Sequence, residues 1–242
     1  LLVLLVLAFI LPFIFKDKIT GIAKTEINKS INAKVDFKDV NISLFRHFPR
    51  LAVGLEQLEV VGIEDFSKDT LISAKRIDVA LNLMSLFGNK MNIYSITVDE
   101  PRIHAIVNKE GKANWDITKP DTTTTTAEES SAFNMSLNKY AINNGYISYN
   151  DIPGDMSAEI FNLNHSGSGD FTSDLFTLAT KTSADAVNFT YTKIPYLVNA
   201  KAALDADIQV DNKQSKYTFK TDDVALNDLK LSTEGYFQFV ND

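Results

Sequence analysis

The chain has 242 residues, a formal net charge of -7, three histidines and no cysteine. Hydrophobic residues make up 45% of it, which is enough to bury a core and excludes a disordered tail. The acidic balance disfavours a nucleic-acid partner, because phosphate binding needs a clustered positive field. Without cysteine there is no disulfide framework, no thiolate zinc site and no cysteine nucleophile.

The first residues predict a truncated transmembrane anchor over residues 1–16. Leu1 to Phe15 carries no charged or polar side chain, and the run ends at Lys16-Asp17-Lys18. A spanning helix needs about 20 apolar residues, so we expect the rest of the anchor upstream, because the chain starts without Met inside the apolar run. A cleaved signal peptide would need a small-residue cleavage site, which residues 16–20 do not offer, and a buried core helix is rarely apolar on every face.

Residues 17–33 have the pattern of an amphipathic helix. Ile19, Ala23, Ile27 and Ile31 recur at four-residue steps, with charged residues on the other faces. Two roles stay open for this helix. It either packs on the domain that follows or lies on the bilayer surface.

A first β region is predicted over residues 34–117, where apolar and polar residues alternate in short runs separated by turns. Residues 118–131 contain no apolar side chain except Ala127 and the ring of Pro120, which predicts a linker or long loop. A second β region follows over residues 132–242 and is expected to be truncated, because it ends on a strand. A short helix near Ser85 is also expected.

The predicted fold class is therefore mostly β, with an antiparallel, curled sheet or groove behind an N-terminal transmembrane or amphipathic helix. A parallel α/β fold would need crossover helices, and few convincing helical windows follow residue 32.

No catalytic motif stands out. His47, His104 and His165 have no metal-ligand or triad spacing around them, and Gly167-Ser168-Gly169 indicates a flexible turn. Asp205 and Asp207 share one face of a predicted strand, most simply the solvated one, and lack the spacing of a calcium loop. We therefore predict no enzyme activity, no cofactor and no metal site.

Several strand and turn signatures along the chain resemble those of one known protein family. The resemblance covers nearly the whole chain, and none of its signatures is a catalytic motif. It rests on the N-terminal apolar run, residues 35–45 with Phe48-Pro49, residues 51–62, 96–101 (ITVDEP), 108–115 (NKEGKANW), 144–151 (NGYISYND) and 169–172. With these signatures the chain resembles the AsmA family of membrane-anchored envelope proteins.

The resemblance implies a single-pass inner-membrane protein with its soluble domain in the periplasm and a part in outer-membrane lipid homeostasis or phospholipid transport. Proteins of this family are similar in build to bridge-like lipid carriers, in which a long sheet curls into an apolar groove. The expected partners are phospholipid, the inner membrane and other envelope proteins, and no nucleic acid.

Alternating strands supply an apolar trough if helices leave their apolar face uncovered. The alternative for each such residue is an ordinary closed core. The runner-up function is a non-catalytic assembly factor for outer-membrane proteins that binds them through exposed sheet edges, and an enzyme is third. The predicted groove-lining residues are Val53, Leu55, Ile96, Val98, Tyr146, Phe189 and Phe219.

Overall fold

The structure, a computed structural model, describes residues 16–43, 50–82, 92–119, 136–171 and 173–239. Residues 1–15 of the predicted anchor, the helix expected near Ser85 and most of the predicted linker therefore lie outside the described residues. Within the described ranges, no helix is long and apolar enough to cross a membrane.

The described residues form one α-helix, one short 3-10 helix and one large sheet of thirteen strands. A mostly β fold is therefore confirmed. The elements in chain order are α1 (Lys16–Ser30), β1 (Lys34–Asp36), β2 (Asp39–Ser43), β3 (Arg50–Val61), the 3-10 helix Glu64–Phe66, β4 (Thr70–Asn82), β5 (Asn92–Asp99), β6 (Arg102–Val107), β7 (Ser136–Asp151), β8 (Met156–Ser168), β9 (Leu175–Tyr191), β10 (Ile194–Asp211), β11 (Lys216–Leu226), β12 (Leu229–Leu231) and β13 (Glu234–Gln238).

The sheet is mixed, so the expectation of a purely antiparallel sheet was wrong. Most neighbouring strands are antiparallel, but β7 pairs in parallel with both β5 and β6. The chain between β6 and β7 returns to the end of the sheet where β5 begins, which places Ser136 opposite Asn92. A long connection can make this return, whereas a tight hairpin turn cannot.

Three pairs of short strands behave as single strands with a break. β1 and β2 both pair with β3, β5 and β6 both pair with β4, and β12 and β13 both pair with β11. With these pairs taken together, the sheet is a row of ten long strands. Strands from the first and the second predicted β region meet in it where β5 and β6 pair with β7.

A line of residues with positive φ crosses the sheet, and we call this line the seam. Its members lie on β3, β7, β8 and β10 and in the breaks between β5 and β6 and between β11 and β12. Most are asparagine, which tolerates the left-handed region better than most residues. The seam consists of Gln57, Glu100, Asn144, Asn162, Asn199 and Asn227.

The seam changes the phase of the apolar alternation. In β3 the apolar positions are Leu55 before the seam and Leu58 after it, and both pack against the same core cluster. In a regular strand, residues three apart point to opposite faces. The phase change therefore keeps the apolar side chains of the long strands on one face of the sheet.

The best-packed region of the described chain lies at the start of the sheet. Ala33, Val35, Phe37, Val40 and Val60 form this core cluster, and the Phe37 side chain is only 1% exposed. Helix α1 contacts β1 and β2 beside it. The Asn28 side chain of α1 donates a hydrogen bond to the Val35 carbonyl oxygen and accepts one from the Val35 backbone N–H, each at 2.8 Å.

Candidate functional site

The two faces of the sheet differ in chemistry. Register partners on neighbouring strands point to the same face, so the pairing assigns each side chain to a face. One face, which we call the apolar face, carries Val53, Ile77, Val98, Ile142, Ile160, Val187 and Ile208, among others. The opposite face, which we call the polar face, carries Asp78, Thr97, Lys139, Ser148, Glu159, Lys181, Asp205 and Lys220, among others.

Six of the seven predicted groove residues lie on the apolar face. Val53 and Leu55 lie on β3, Ile96 and Val98 pair with β4 in the same register, and Phe189 and Phe219 follow on β9 and β11. Each is at least partly shielded from solvent. The six side chains therefore belong to one surface of the sheet. Their role in lining a lipid groove stays a prediction.

Tyr146 lies on the polar face, apart from the other six. Its ring centroid is 5.5 Å from that of His104 and 5.0 Å from that of Phe161, and its hydroxyl donates to a Glu159 carboxylate oxygen at 2.9 Å. Burial and the bond to Glu159 raise the pKa of Tyr146. The seam at Asn144 explains the placement, because the phase change there reverses which residues of β7 face the apolar side.

The apolar face is closed at one end and open at the other. Val53 and Leu55 pack against the core cluster beside α1. At the far end, Leu229 is 54% exposed, Phe237 is 51% exposed and Phe239 is 65% exposed. From residue 136 to residue 239, every described residue belongs to a strand or to a short connection between strands. Among the described residues, the far end of the face therefore presents large apolar side chains to solvent.

A small set of polar side chains interrupts the apolar face across β7 to β11. The Tyr140 hydroxyl is 3.1 Å from His165 Nε2, and His165 Nδ1 is 2.8 Å from the Thr182 hydroxyl. Burial lowers the pKa of His165 and raises the pKa of Tyr140, so both side chains are neutral at neutral pH. We call this set the polar belt; it consists of Tyr140, His165, Thr180, Thr182 and Thr221.

The sequence analysis missed the polar belt. His165 has no metal-ligand or triad spacing around it in the sequence, and Tyr140 and Thr182 belong to no motif there. The three side chains are brought together by the pairing of β7 with β8 and of β8 with β9. No spacing within the sequence signals such a register, so only the sheet topology reveals the cluster.

The polar face is a solvated surface with paired charges. Arg76 forms a two-point ion pair with Asp78, with N–O distances of 2.5 and 2.8 Å, and Lys181 contacts Asp205 at 3.1 Å. Asp205 and Asp207 both lie on this face, as the sequence predicts. In the part of the chain that the structure describes, no group of three or more His, Asp or Glu side chains could hold a metal ion.

Two open depressions lie mainly on the polar face. One, of about 490 Å³, includes Ser95, Thr97, Lys139, Ser166 and Lys181 in its lining. The other, of about 820 Å³, lies over β2 to β5 and is lined by small and polar residues such as Gly54, Ala80 and Asp78. Of the predicted groove residues, Ile96 alone lines either of these two depressions.

Comparison with known proteins gives a family but no specific relative. Residues 1–221 match the model of the AsmA family, which is most of the chain. The searches of curated proteins and of solved structures found no match. The sheet, the apolar face and the span of the family match agree with the resemblance seen in the sequence, and the chain belongs to the AsmA family.

Proposed function

We propose that this chain is a non-catalytic, membrane-anchored module that binds the acyl chains of phospholipids on its apolar face. In this proposal the anchor lies in the inner membrane as a single pass, and the sheet lies in the periplasm, where it supports outer-membrane lipid homeostasis. The observation that carries the proposal is the apolar face of a large sheet, which bears large exposed apolar side chains at its far end.

The energetics favour such a surface. Exposing an acyl chain to water costs about 0.8 kcal/mol per methylene, or on the order of 12 kcal/mol for about 15 methylenes. A row of apolar side chains along β9, β10 and β11 removes much of that cost without any chemical step. Strand twist accumulates across a sheet of this width, and we propose that it curls the apolar face into a groove around the chain.

Family membership supports the same class of role. Belonging to the AsmA family fits envelope-associated work in lipid or protein assembly, and proteins of this family are generally non-catalytic. The proposal therefore needs no cofactor and no reacting group.

Substitution of adjacent residues on opposite faces tests the proposal. We would compare Ile96→Asp and Phe219→Asp on the apolar face with Thr97→Asp and Thr218→Asp on the polar face. The full chain would be released from phospholipid nanodiscs in a mass spectrometer, and bound lipid would be counted. We expect lipid on the wild type and both controls, and loss of lipid from the two apolar-face variants with the circular dichroism spectrum retained.

A lipid-free wild type, or equal loss from both faces, would overturn the proposal. Because a buried carboxylate can unfold a sheet, a second measurement uses benzoylphenylalanine in place of Phe219, which keeps an aromatic side chain. Ultraviolet light should crosslink that position to phospholipid, and the same amino acid at Lys220, on the polar face, should not crosslink. Crosslinking at both positions to the same extent would also contradict the proposal.

The second candidate function is an assembly factor that holds outer-membrane proteins through a sheet edge. The aromatic side chains of β13 and the residue after it favour this candidate, because Tyr236, Phe237 and Phe239 are all more than half exposed at an edge of the described sheet. This function predicts a stable protein complex on a lipid-free chain. The same mass spectra would show it as protein bound without phospholipid.

A further inference from the structure

The polar belt separates two apolar zones on the far half of the apolar face. The belt runs across neighbouring strands in one row, in which Tyr140 pairs with Gly167, Gly167 with Thr180, Thr180 with Ala206 and Ala206 with Thr221. The zone on one side of the belt contains Phe176, Leu178, Ile208 and Phe219. The zone on the other side contains Leu163, Val187, Phe189 and Ala200.

Tyr140, His165 and Thr182 together have one more hydrogen-bond donor than their mutual hydrogen bonds use. A neutral imidazole has one N–H and one acceptor nitrogen. If His165 carries its hydrogen on Nε2, it donates to Tyr140 and accepts from Thr182, which leaves the Tyr140 O–H free to donate. If the hydrogen is on Nδ1, the Thr182 O–H is left instead. In either tautomer, one hydroxyl hydrogen points away from this chain of three groups.

The other two hydroxyl groups of the belt do not supply that donor. Thr180 donates to the Ala206 carbonyl oxygen at 3.0 Å, and Thr221 donates to the Thr233 carbonyl oxygen at 2.9 Å. The Tyr140 ring is held in place against the backbone of Gly167, where even a Cβ atom would collide with the ring. In the tautomer that leaves the Tyr140 hydroxyl hydrogen over, this donor is therefore presented from a fixed position.

The charge around the belt selects an uncharged acceptor. Lys139 and Lys181 are adjacent in sequence to belt residues, but both lie on the polar face. Burial keeps the pKa of His165 below its usual value, so the ring is neutral at neutral pH. A phosphate placed on the belt would lose its hydration without gaining a cation, which is costly. An uncharged ester carbonyl oxygen at the same place would lose far less hydration free energy.

We infer that the polar belt donates a hydrogen bond to an ester carbonyl oxygen of a bound glycerolipid, with the acyl chains on an adjoining apolar zone and the charged headgroup outside the face. The inference rests on the proposed lipid-binding function and deepens it. The belt sets the position of the lipid's glycerol backbone along the sheet, whereas the apolar zones bind the acyl chains without fixing their position.

A competition between two lipids tests the inference. The full chain would be loaded from nanodiscs holding equal amounts of a diester phosphatidylethanolamine and its diether analogue with identical chains, and bound lipid would be identified by native mass spectrometry. The diether lacks the carbonyl acceptors. We expect the wild type to favour the diester about three- to tenfold, as one neutral hydrogen bond would give.

The triple variant Tyr140→Phe, His165→Leu, Thr182→Val removes both hydroxyl groups together with the imidazole N–H, which would otherwise lose its partner and could donate in their place. It should bind as much total lipid as the wild type with a diester-to-diether ratio near one. Matched controls on the polar face are Tyr146→Phe and Thr177→Val, which remove the same kinds of hydroxyl group and should keep the wild-type preference.

The outcomes separate this inference from the proposed function. If the wild type binds neither lipid, the proposed function fails and the inference fails with it. If the wild type binds both lipids equally, or if the triple variant keeps the preference, the belt inference alone is overturned. Should the triple variant fail to fold, the carbonyl stretch of carbon-13-labelled diester lipid on the wild type decides: a shift to lower frequency than in alkane supports the inference, and an unshifted band contradicts it.

Discussion

The same face of the same sheet is a closed core at one end and an open surface at the other. At the closed end, beside α1, Val35, Phe37 and Val60 are each at most 7% exposed. At the open end, Leu229 and Phe237 are more than half exposed. Both ends have alternating apolar residues of similar size.

The difference comes from what covers the strands. Helix α1 contacts β1 and β2, and its Lys24 ammonium lies 5.0 Å from the Phe37 ring centroid while it pairs with Asp36. The far strands present the same kind of side chain to solvent. Alternation in a sequence therefore identifies an apolar face, but it does not say whether that face is a core or a ligand surface.

The largest expected effect comes from removing an aromatic ring at each end. Phe37→Ala should lower the free energy of unfolding by about 3–5 kcal/mol, because it leaves a cavity in the core cluster. Phe237→Ala should lower it by about 1 kcal/mol, since that ring is half exposed and chiefly stacks on Tyr217, with centroids 4.7 Å apart. Denaturant unfolding of the full chain measures both, and equal losses would contradict the division into closed and open ends.

A smaller effect on stability is expected at the seam, whose phase change keeps the apolar side chains of the long strands on one face of the sheet. Asn162 has φ of 50°, a region that costs a residue with a Cβ about 1–2 kcal/mol unless its side chain compensates. Asn162→Ala should therefore destabilise the protein by about 1 kcal/mol. Asn162→Gly, which adopts this backbone freely, is the matched control and should be closer to the wild type. Denaturant unfolding measures both variants. Equal free energies of unfolding for Asn162→Ala and Asn162→Gly would contradict the claim that asparagine relieves backbone strain at this position.

The smallest expected effect is a pH dependence at the polar belt. Burial lowers the pKa of His165 in the folded protein, so the unfolded chain takes up this proton first as the pH falls. Stability is then full above the unfolded pKa of about 6.5 and decreases as the pH falls below it, levelling off under the folded pKa. His165→Asn should flatten that part of the curve of unfolding free energy against pH. If His165→Asn keeps the wild-type slope of unfolding free energy against pH, the pH dependence comes from other titratable groups.

Local pattern was enough to predict the strands and much of the apolar face. Period-two alternation predicted a mostly β chain, and Val53, Leu55, Ile96, Val98, Phe189 and Phe219 do share one face. Within each strand segment, the side-chain period of two is a local property of the backbone, so a sequence displays it directly.

Features that depend on pairing between distant segments were missed. The parallel contact of β5 with β7 depends on where the chain returns after β6. Tyr146 lies on the opposite face from the other six predicted groove residues, because the phase change at Asn144 has no alternation signal of its own. The contact between Tyr140 and His165 requires the register of two strands, which tertiary packing sets.

The breaks in the edge strands bear on self-association. One edge of the described sheet consists of β1 and β2, with 3 and 5 residues, and the other of β12 and β13, also with 3 and 5 residues. The inner strands β9 and β10 run for 17 and 18 residues. A long, flat edge is a template for aggregation, and a short, interrupted one is a poor template. Within the described sheet, each edge is therefore a shorter template for another copy of the chain than an unbroken strand as long as β9 or β10 would be.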